Sequence, residues 1–340
     1  MRTSDFDYVL PADRIAQQPA EPRDSSRLLV MGRREGSLSH AFFRDLPDYL
    51  RPGDLLVVNV TRVIPARLPA RKAGSRGKAE ILLVRRVEAR VWETLIGGRR
   101  IRPGVRLELP DGSSGEVLED PGGPRRLIRF DRPVTPRLAR LGETPLPPYI
   151  HERHLNPERY QTVYGRVAGS VAAPTAGLHF TAGLIARLQD MGVAWAEVTL
   201  HIGLDTFAPV EEEDPSRHPI HSEWCQVGEE TVAAVRQARR DGGRIVAIGT
   251  TTVRALETAA LRAAPEDIVF PIDGPTRLFI TPGFNFRAVD VLLTNFHLPR
   301  STLLMLVSAF AGRERLLHAY RVAVEASYRF YSFGDAMLIG

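Results

Sequence analysis

The spacing of hydrophobic positions changes twice along the chain, and the changes divide it into three stretches. Residues 1–63 carry short apolar runs. The clearest, Leu55-Leu56-Val57-Val58, follows the turn Arg51-Pro52-Gly53-Asp54. Over 64–150, apolar and polar residues alternate in short runs at 79–87, 90–96, 105–109, 115–118 and 126–130. A period of two marks a half-buried strand. Gly and Pro punctuate these runs at Gly97-Gly98, Pro103-Gly104, Asp111-Gly112 and Pro121-Gly122-Gly123-Pro124. Short strands with turn signals about every 8–12 residues predict a small barrel. Pro145-Leu146-Pro147-Pro148 reads as the linker leaving it.

Beyond 150 the pattern alternates strand with helix. Thr181 is placed to cap a helix whose Leu184, Ile185 and Leu188 share one face, with Gly192 past its end. Residues 193–202 alternate like a strand, and 229–241 are helical until Gly242-Gly243 stop them. Strand 244–249 runs into Thr250-Thr251-Thr252 and a helix over 253–263. Strand 288–294 runs into a polar loop and an apolar helix, 302–311, ending at Gly312. A helix over 314–327 and a strand near 335–339 follow. The prediction is an α/β fold: a main α/β domain in two parts, 1–63 and 151–340, interrupted by a small inserted all-β barrel at 64–150.

Composition narrows the class. At 340 residues, 44% hydrophobic and 25% charged, the chain can fill a globular core. No run reaches the roughly 20 apolar residues of a membrane span, and the first residues hold no apolar signal core, so a cytoplasmic protein without a membrane partner is expected. The single cysteine, Cys225, excludes an internal disulfide and a multi-cysteine metal site. It reads as a small, half-buried hydrophobe rather than a nucleophile. Net charge is +5, and all the basic residues except Lys72 and Lys78 are arginines. That balance suits a polyanionic partner, although genome composition or heat adaptation produces the same bias.

In an α/β sheet, ligands bind beyond the carboxyl ends of strands. Gly249-Thr250-Thr251-Thr252-Val253-Arg254 follows one predicted strand. Its glycine admits close approach, and its hydroxyls and first-turn amides suit an anion, although the same residues also make a plain helix cap. Asn295-Phe296-His297-Leu298-Pro299-Arg300-Ser301-Thr302 is dense in polar groups, with Pro299 stopping the next helix from extending backwards. His201-Ile202-Gly203-Leu204-Asp205-Thr206-Phe207 follows a strand, and Pro174-Thr175-Ala176-Gly177-Leu178-His179-Phe180 precedes a helix. His179, His201 and His297, with His221 besides, are candidates for one general base. Their spacing does not suit a metal, and none is expected. The chain lacks a phosphate-binding P-loop, a dinucleotide-binding glycine motif and a nucleophile elbow.

Long literal strings then carry a resemblance. Phe6-Asp7-Tyr8-x-Leu10-Pro11, Thr61-Arg62-Val63-Ile64-Pro65-Ala66-Arg67, Gly169-Ser170-Val171-Ala172-Ala173-Pro174 through Phe180, Asn295-Phe296-His297-Leu298-Pro299 through Gly312, and Phe333-Gly334-Asp335-Ala336-Met337-Leu338-Ile339 resemble the S-adenosylmethionine:tRNA ribosyltransferase-isomerase family nearly end to end. Two positions depart from its pattern: Val60 stands where an acidic residue is usual, and Asp205 where glycine is usual. The resemblance implies an α/β domain interrupted by a β-barrel. It also implies transfer and isomerisation of the ribosyl moiety of S-adenosylmethionine onto tRNA carrying 7-aminomethyl-7-deazaguanine at the wobble position. Adenine and methionine would leave, so S-adenosylmethionine is a consumed cosubstrate and no cofactor is expected. On that reading His179, His201 and His297 are the candidate bases, and Thr175, Gly177, Gly249, Thr250, Thr251 and Asn295 hold the cosubstrate. Arg62, Arg254 and Arg300 meet tRNA phosphates unless they pair internally with Asp or Glu. A monomer is expected. The competing classes are a non-catalytic RNA-binding protein and a methyltransferase of unusual fold.

Overall fold

The structure is a computed structural model and describes residues 1–75, 77–119, 125–152, 156–203 and 210–340. Asp205 and its neighbours Leu204, Thr206 and Phe207, like the turn Pro121–Pro124, lie outside the described residues. The chain divides into two compact units. Met1–Arg62, Pro148–Val167 and Ala173–Gly340 form one; Val63–Pro147 with Ala168–Ala172 form the other. In chain order the first unit contributes β1 (Arg27–Met31), β2 (Leu38–Phe42) and β3 (Leu55–Asn59). The second contributes β4 (Arg67–Lys72), β5 (Lys78–Arg86), β6 (Val91–Gly97), β7 (Arg106–Glu108), β8 (Ser114–Glu119) and β9 (Arg125–Phe130). The first then adds β10 (Ala194–Leu200), β11 (Glu223–Val227), β12 (Ile245–Ile248), β13 (Ile272–Thr276), β14 (Val291–Asn295) and β15 (Ala336–Ile339). Its longer helices are α1 (Ala182–Asp190), α2 (Glu229–Arg240), α3 (Thr250–Arg262), α4 (Thr302–Ala311) and α5 (Arg313–Glu325).

The first unit is built on a mixed sheet with strand order β13-β11-β10-β3-β12-β14-β15-β1-β2. Its centre, β10-β3-β12-β14, is parallel. These middle strands read as continuous apolar runs because both faces are covered: every residue of β3, β12 and β14 is buried. Leu56, Val58, Val246, Ile248 and Leu293 pack with Phe180 and with Leu184 and Leu188 of α1. Val60 belongs to the same buried cluster, so an apolar side chain fits where the family pattern has an acid. Thr181 Oγ1 accepts from Leu184 N–H at 3.2 Å to start α1, and Ser301 Oγ does the same for Leu304 at the start of α4.

The second unit is a closed antiparallel barrel, β9-β6-β5-β4-β7-β8. Its interior holds Leu68, Ile81, Leu83, Leu107, Val117, Ile128 and Phe130, all without solvent exposure. Gly115 is required by close packing, since a Cβ there would stand 2.6 Å from Ile128 Cγ2. Where the chain begins and leaves the barrel, Arg67 N–H donates to Glu143 O at 3.1 Å and Glu143 N–H donates to Arg67 O at 2.8 Å. The α/β class with an inserted barrel is therefore the observed architecture. Three details differ from the sequence reading. Helix α3 begins at Thr250 rather than 253, because Gly249 turns the chain straight into it. β14 ends at Asn295, which pairs with Ala336 of β15. Strands β1, β2, β4, β11 and β13 are additional.

Candidate active site

The four parallel strands end on one edge of the sheet, and residues at the ends of β10, β12 and β14 line one cavity. After β12, Gly249 adopts φ 88°, and no side chain caps α3. The first-turn amides of α3 are thus oriented for an anion. Thr251 Oγ1 is buried without a hydrogen-bond partner among the described residues. After β14, Asn295 is the hub. Its Oδ1 accepts from Thr175 Oγ1 at 2.9 Å, and its Nδ2 lies 3.2 Å from both Tyr331 O and His179 Nε2. An amide nitrogen can only donate, so His179 Nε2 accepts. The ring's proton then sits on Nδ1, 2.7 Å from Ser26 Oγ. The ring also stacks on Phe43 with centroids 4.9 Å apart.

These groups surround a cavity of about 50 Å³ lined, among others, by Thr175, Gly249, Thr250, Thr251, Asn295 and His297. His297 faces it with Nε2 2.8 Å from Thr294 Oγ1. Burial pushes the His297 imidazole down to about 3. His179 falls to about 3 as well, from burial first and then from the charges of Arg329 and Arg23. Both rings are neutral at neutral pH. His201 does not line the cavity; its neighbour Ile202 does. Its Nδ1 is 2.9 Å from Thr61 Oγ1, it stacks on Trp224 at 5.3 Å, and burial lowers its pKa. Gly177 is also off the cavity: a Cβ there would collide with the Tyr164 hydroxyl, so its smallness serves packing.

The three arginines expected at phosphates all have carboxylate partners. Arg62 pairs with Glu158 at 2.5 Å and Arg300 with Asp7 at 3.7 Å, both partly exposed. Arg254 is buried and ion-paired with Glu223, and its Nε donates to Leu278 O at 3.1 Å. A phosphate contact by Arg254 is thereby corrected to an internal pair, because its guanidinium is shut from solvent. Although burial raises Glu223, the adjacent guanidinium and His221 hold its carboxyl down to about 2. It also accepts from Gly203 N–H at 3.1 Å, so the pair ties the end of β10 to α3. Cys225 is buried, and burial pushes its thiol up to about 11. It behaves as a hydrophobe.

A family model described as queuosine biosynthesis protein matches residues 3–339. The chain belongs to that family. The S-adenosylmethionine:tRNA ribosyltransferase-isomerase of Symbiobacterium thermophilum is 54% identical over 343 residues, and that of Moorella thermoacetica 53% identical over 345, each match covering 100% of both chains. The crystal structure of S-adenosylmethionine tRNA ribosyltransferase from Thermotoga maritima is 44% identical with a TM-score of 0.57, covering 99% of this chain and 100% of that one.

In this queuosine biosynthesis protein the sequence reading missed two aromatic walls of the cavity. Tyr149 and Tyr331 both line it, with ring centroids 4.8 Å apart, and Tyr149 Oη lies 2.7 Å from Ser332 Oγ. Burial raises both phenols, so they stay protonated. Tyr331 takes φ 71°, a left-handed conformation that costs energy in a tyrosine and is concentrated at functional sites. Its place beside the Phe333-Gly334-Asp335 string was the available signal.

Proposed function

We propose that the protein transfers and isomerises the ribosyl moiety of S-adenosylmethionine onto the aminomethyl group of 7-aminomethyl-7-deazaguanine at the tRNA wobble position. The product is epoxyqueuosine-tRNA, with adenine and methionine released. The observation that carries this reading is the convergence of Thr175, Gly249, Thr250, Thr251 and Asn295 on one cavity. In the proposed arrangement the carboxylate of the methionine tail takes the free amides at the start of α3 and the Thr251 hydroxyl. The adenine ring packs against Tyr149 and Tyr331. Thr175 and Asn295 lie at its edge; the Thr175 hydroxyl gives its proton to Asn295, so its oxygen is left to accept from the adenine amino group.

The positive sulfur acidifies the adjoining 5′ carbon, and a base must take its proton. His297 is the proposed base because it is the candidate ring in the cavity, and burial keeps it unprotonated. His179 has both nitrogens engaged and is proposed as a positioning residue for Asn295. His201 is the remaining candidate. The proposed setting is the cytoplasm, with tRNA and S-adenosylmethionine as partners and a single chain as the working unit.

The deciding experiment measures adenine release from S-adenosylmethionine with and without tRNA bearing the aminomethyl-deazaguanine base, followed by nucleoside mass analysis. Adenine formed only with that tRNA, together with the mass of epoxyqueuosine, is the expected outcome. S-adenosylhomocysteine as product would indicate a methyltransferase instead, and bound tRNA with no adenine a binding protein. His297→Ala should lose turnover yet still bind S-adenosylmethionine; full turnover would remove it as the base.

A further inference from the structure

The positive charge of the chain is carried by the barrel alone. Residues 63–147 hold 18 Lys and Arg against 10 Asp and Glu, a net +8, whereas the whole chain is only +5, which leaves −3 for the rest. Within the barrel, five of the cations without an ion-pair partner among the described residues stand together. The turn joining β4 to β5 brings Arg71 opposite Lys78. The loop from β6 to β7 lies against it: an added Cβ on Gly98 would be 3.5 Å from Lys78 O, and Ala73 N–H donates to Arg106 O at 2.9 Å. Arg71, Lys78, Arg99, Arg100 and Arg102 are all exposed, and none has an ion-pair partner among the described residues. Elsewhere on the barrel Arg85 and Arg125 pair with Glu93 and Arg137 with Asp111, while Arg86, Arg90, Arg106 and Arg129, without carboxylate partners among the described residues, are spread over its strands and turns.

Arg100 adds an independent observation. It sits at φ 57°, a left-handed position that glycine or asparagine takes at lower cost. An arginine at a strained, exposed turn with no ion-pair partner among the described residues contributes nothing visible to folding.

We propose that this end of the barrel is a docking surface for the phosphate backbone of the RNA substrate. The inference rests on the reading that the substrate is a tRNA and assigns the contact to the barrel rather than to Arg254. Closely set, unpaired arginines suit a polyanion through counterion release and bidentate phosphate contacts.

The test compares wild type with R99Q/R100G/R102Q. Affinity for labelled tRNA is measured as a function of salt, together with kcat, KM for tRNA, affinity for S-adenosylmethionine and the melting temperature. The expected result is a KM for tRNA raised about tenfold or more at low salt, with the log-affinity against log-salt slope reduced by about 0.7–0.9 per lost contact. kcat, cosubstrate affinity and melting temperature should hold, and the single change Arg100→Gly should leave the melting temperature equal or higher. R99K/R100K/R102K should retain most of the affinity. Unchanged tRNA affinity and salt slope, in a preparation whose wild type turns tRNA over, would overturn the proposal. A fall in melting temperature with Arg100→Gly would also overturn it, by showing a structural role. A wild type that neither binds tRNA nor releases adenine would reject the functional reading first and this inference with it.

Discussion

Two imidazoles in the α/β unit are kept neutral by burial, and this makes folding sensitive to acid. His179 and His297 take up a proton near about 3 in the folded chain, against 6.5 for an ordinary ring. Between those values the unfolded chain binds protons that the folded chain does not. Their folded pKa values are depressed, so their contribution is complete above about 6.5 and is lost as pH falls toward 3. The unfolding free energy should be level from pH 7 upward. Between pH 6 and 5 it should fall by up to about 1.4 kcal/mol per pH unit for each ring. Urea titrations at pH 7, 6 and 5 measure this, and His179→Gln should remove one ring's share of the slope; the same slope in both proteins would refute the cause given. At this scale the polar wall was legible, because Thr175, Thr250, Thr251 and Asn295 stand where a periodic segment ends. Arg254 was not, yet a signal existed. Burial in β11 alternates, placing Glu223 inside with Cys225 and Val227, and a buried carboxylate requires a cation. Tyr149 and Tyr331 were missed because a tyrosine in sequence looks the same whether it faces a core or a cavity.

At the scale of elements, the site depends on the sharp passage from β12 into α3. Gly249 makes that passage at φ 88°, and a Cβ there would meet Ala176 Cβ at 3.5 Å and Thr251 Oγ1 at 3.7 Å, both ordinary contacts. The obstacle to a side chain is therefore conformational rather than steric. Gly249→Ala should lower stability by about 1–2 kcal/mol and tilt the first-turn amides, raising KM for S-adenosylmethionine more than it lowers kcat. Thermal melting and steady-state kinetics check both; wild-type stability with an unmoved KM would show that the turn is not demanding. The barrel strands with clean alternation were legible, as were the apolar runs of the central sheet. β4 was overlooked because Pro69 interrupts its pattern, although Leu68 and Ala70 still point inward. β13 was overlooked for a similar reason. Its Gly274-Pro275 looks like a turn, and a proline is tolerated there because β13 lies at the edge of the sheet. The start of α3 was misplaced because three successive threonines look like a loop until the glycine before them is seen to supply the bend.

At the scale of the molecule, the cavity lies wholly within one of two units, each with its own core. Binding stabilises what it contacts, by about 2.7 kcal/mol at a hundredfold excess over Kd. Saturating S-adenosylmethionine should therefore slow hydrogen exchange in β12, α3 and β14 while leaving barrel amides at their unliganded rates. Equal protection throughout would mean the two units open together. The mutual backbone hydrogen bonds of Arg67 and Glu143 have a further consequence, for the order in which the chain folds. Leu55 of β3 pairs with Ala194 of β10, so the central sheet cannot form until a very long loop closes. Once the barrel has folded and these hydrogen bonds hold its ends together, its residues drop out of that loop. The closure penalty then falls by roughly 0.7 kcal/mol. The insertion acts as a staple that shortens the search for the sheet around it. Pulse-labelling during refolding should find barrel amides protected before those of β3 and β10.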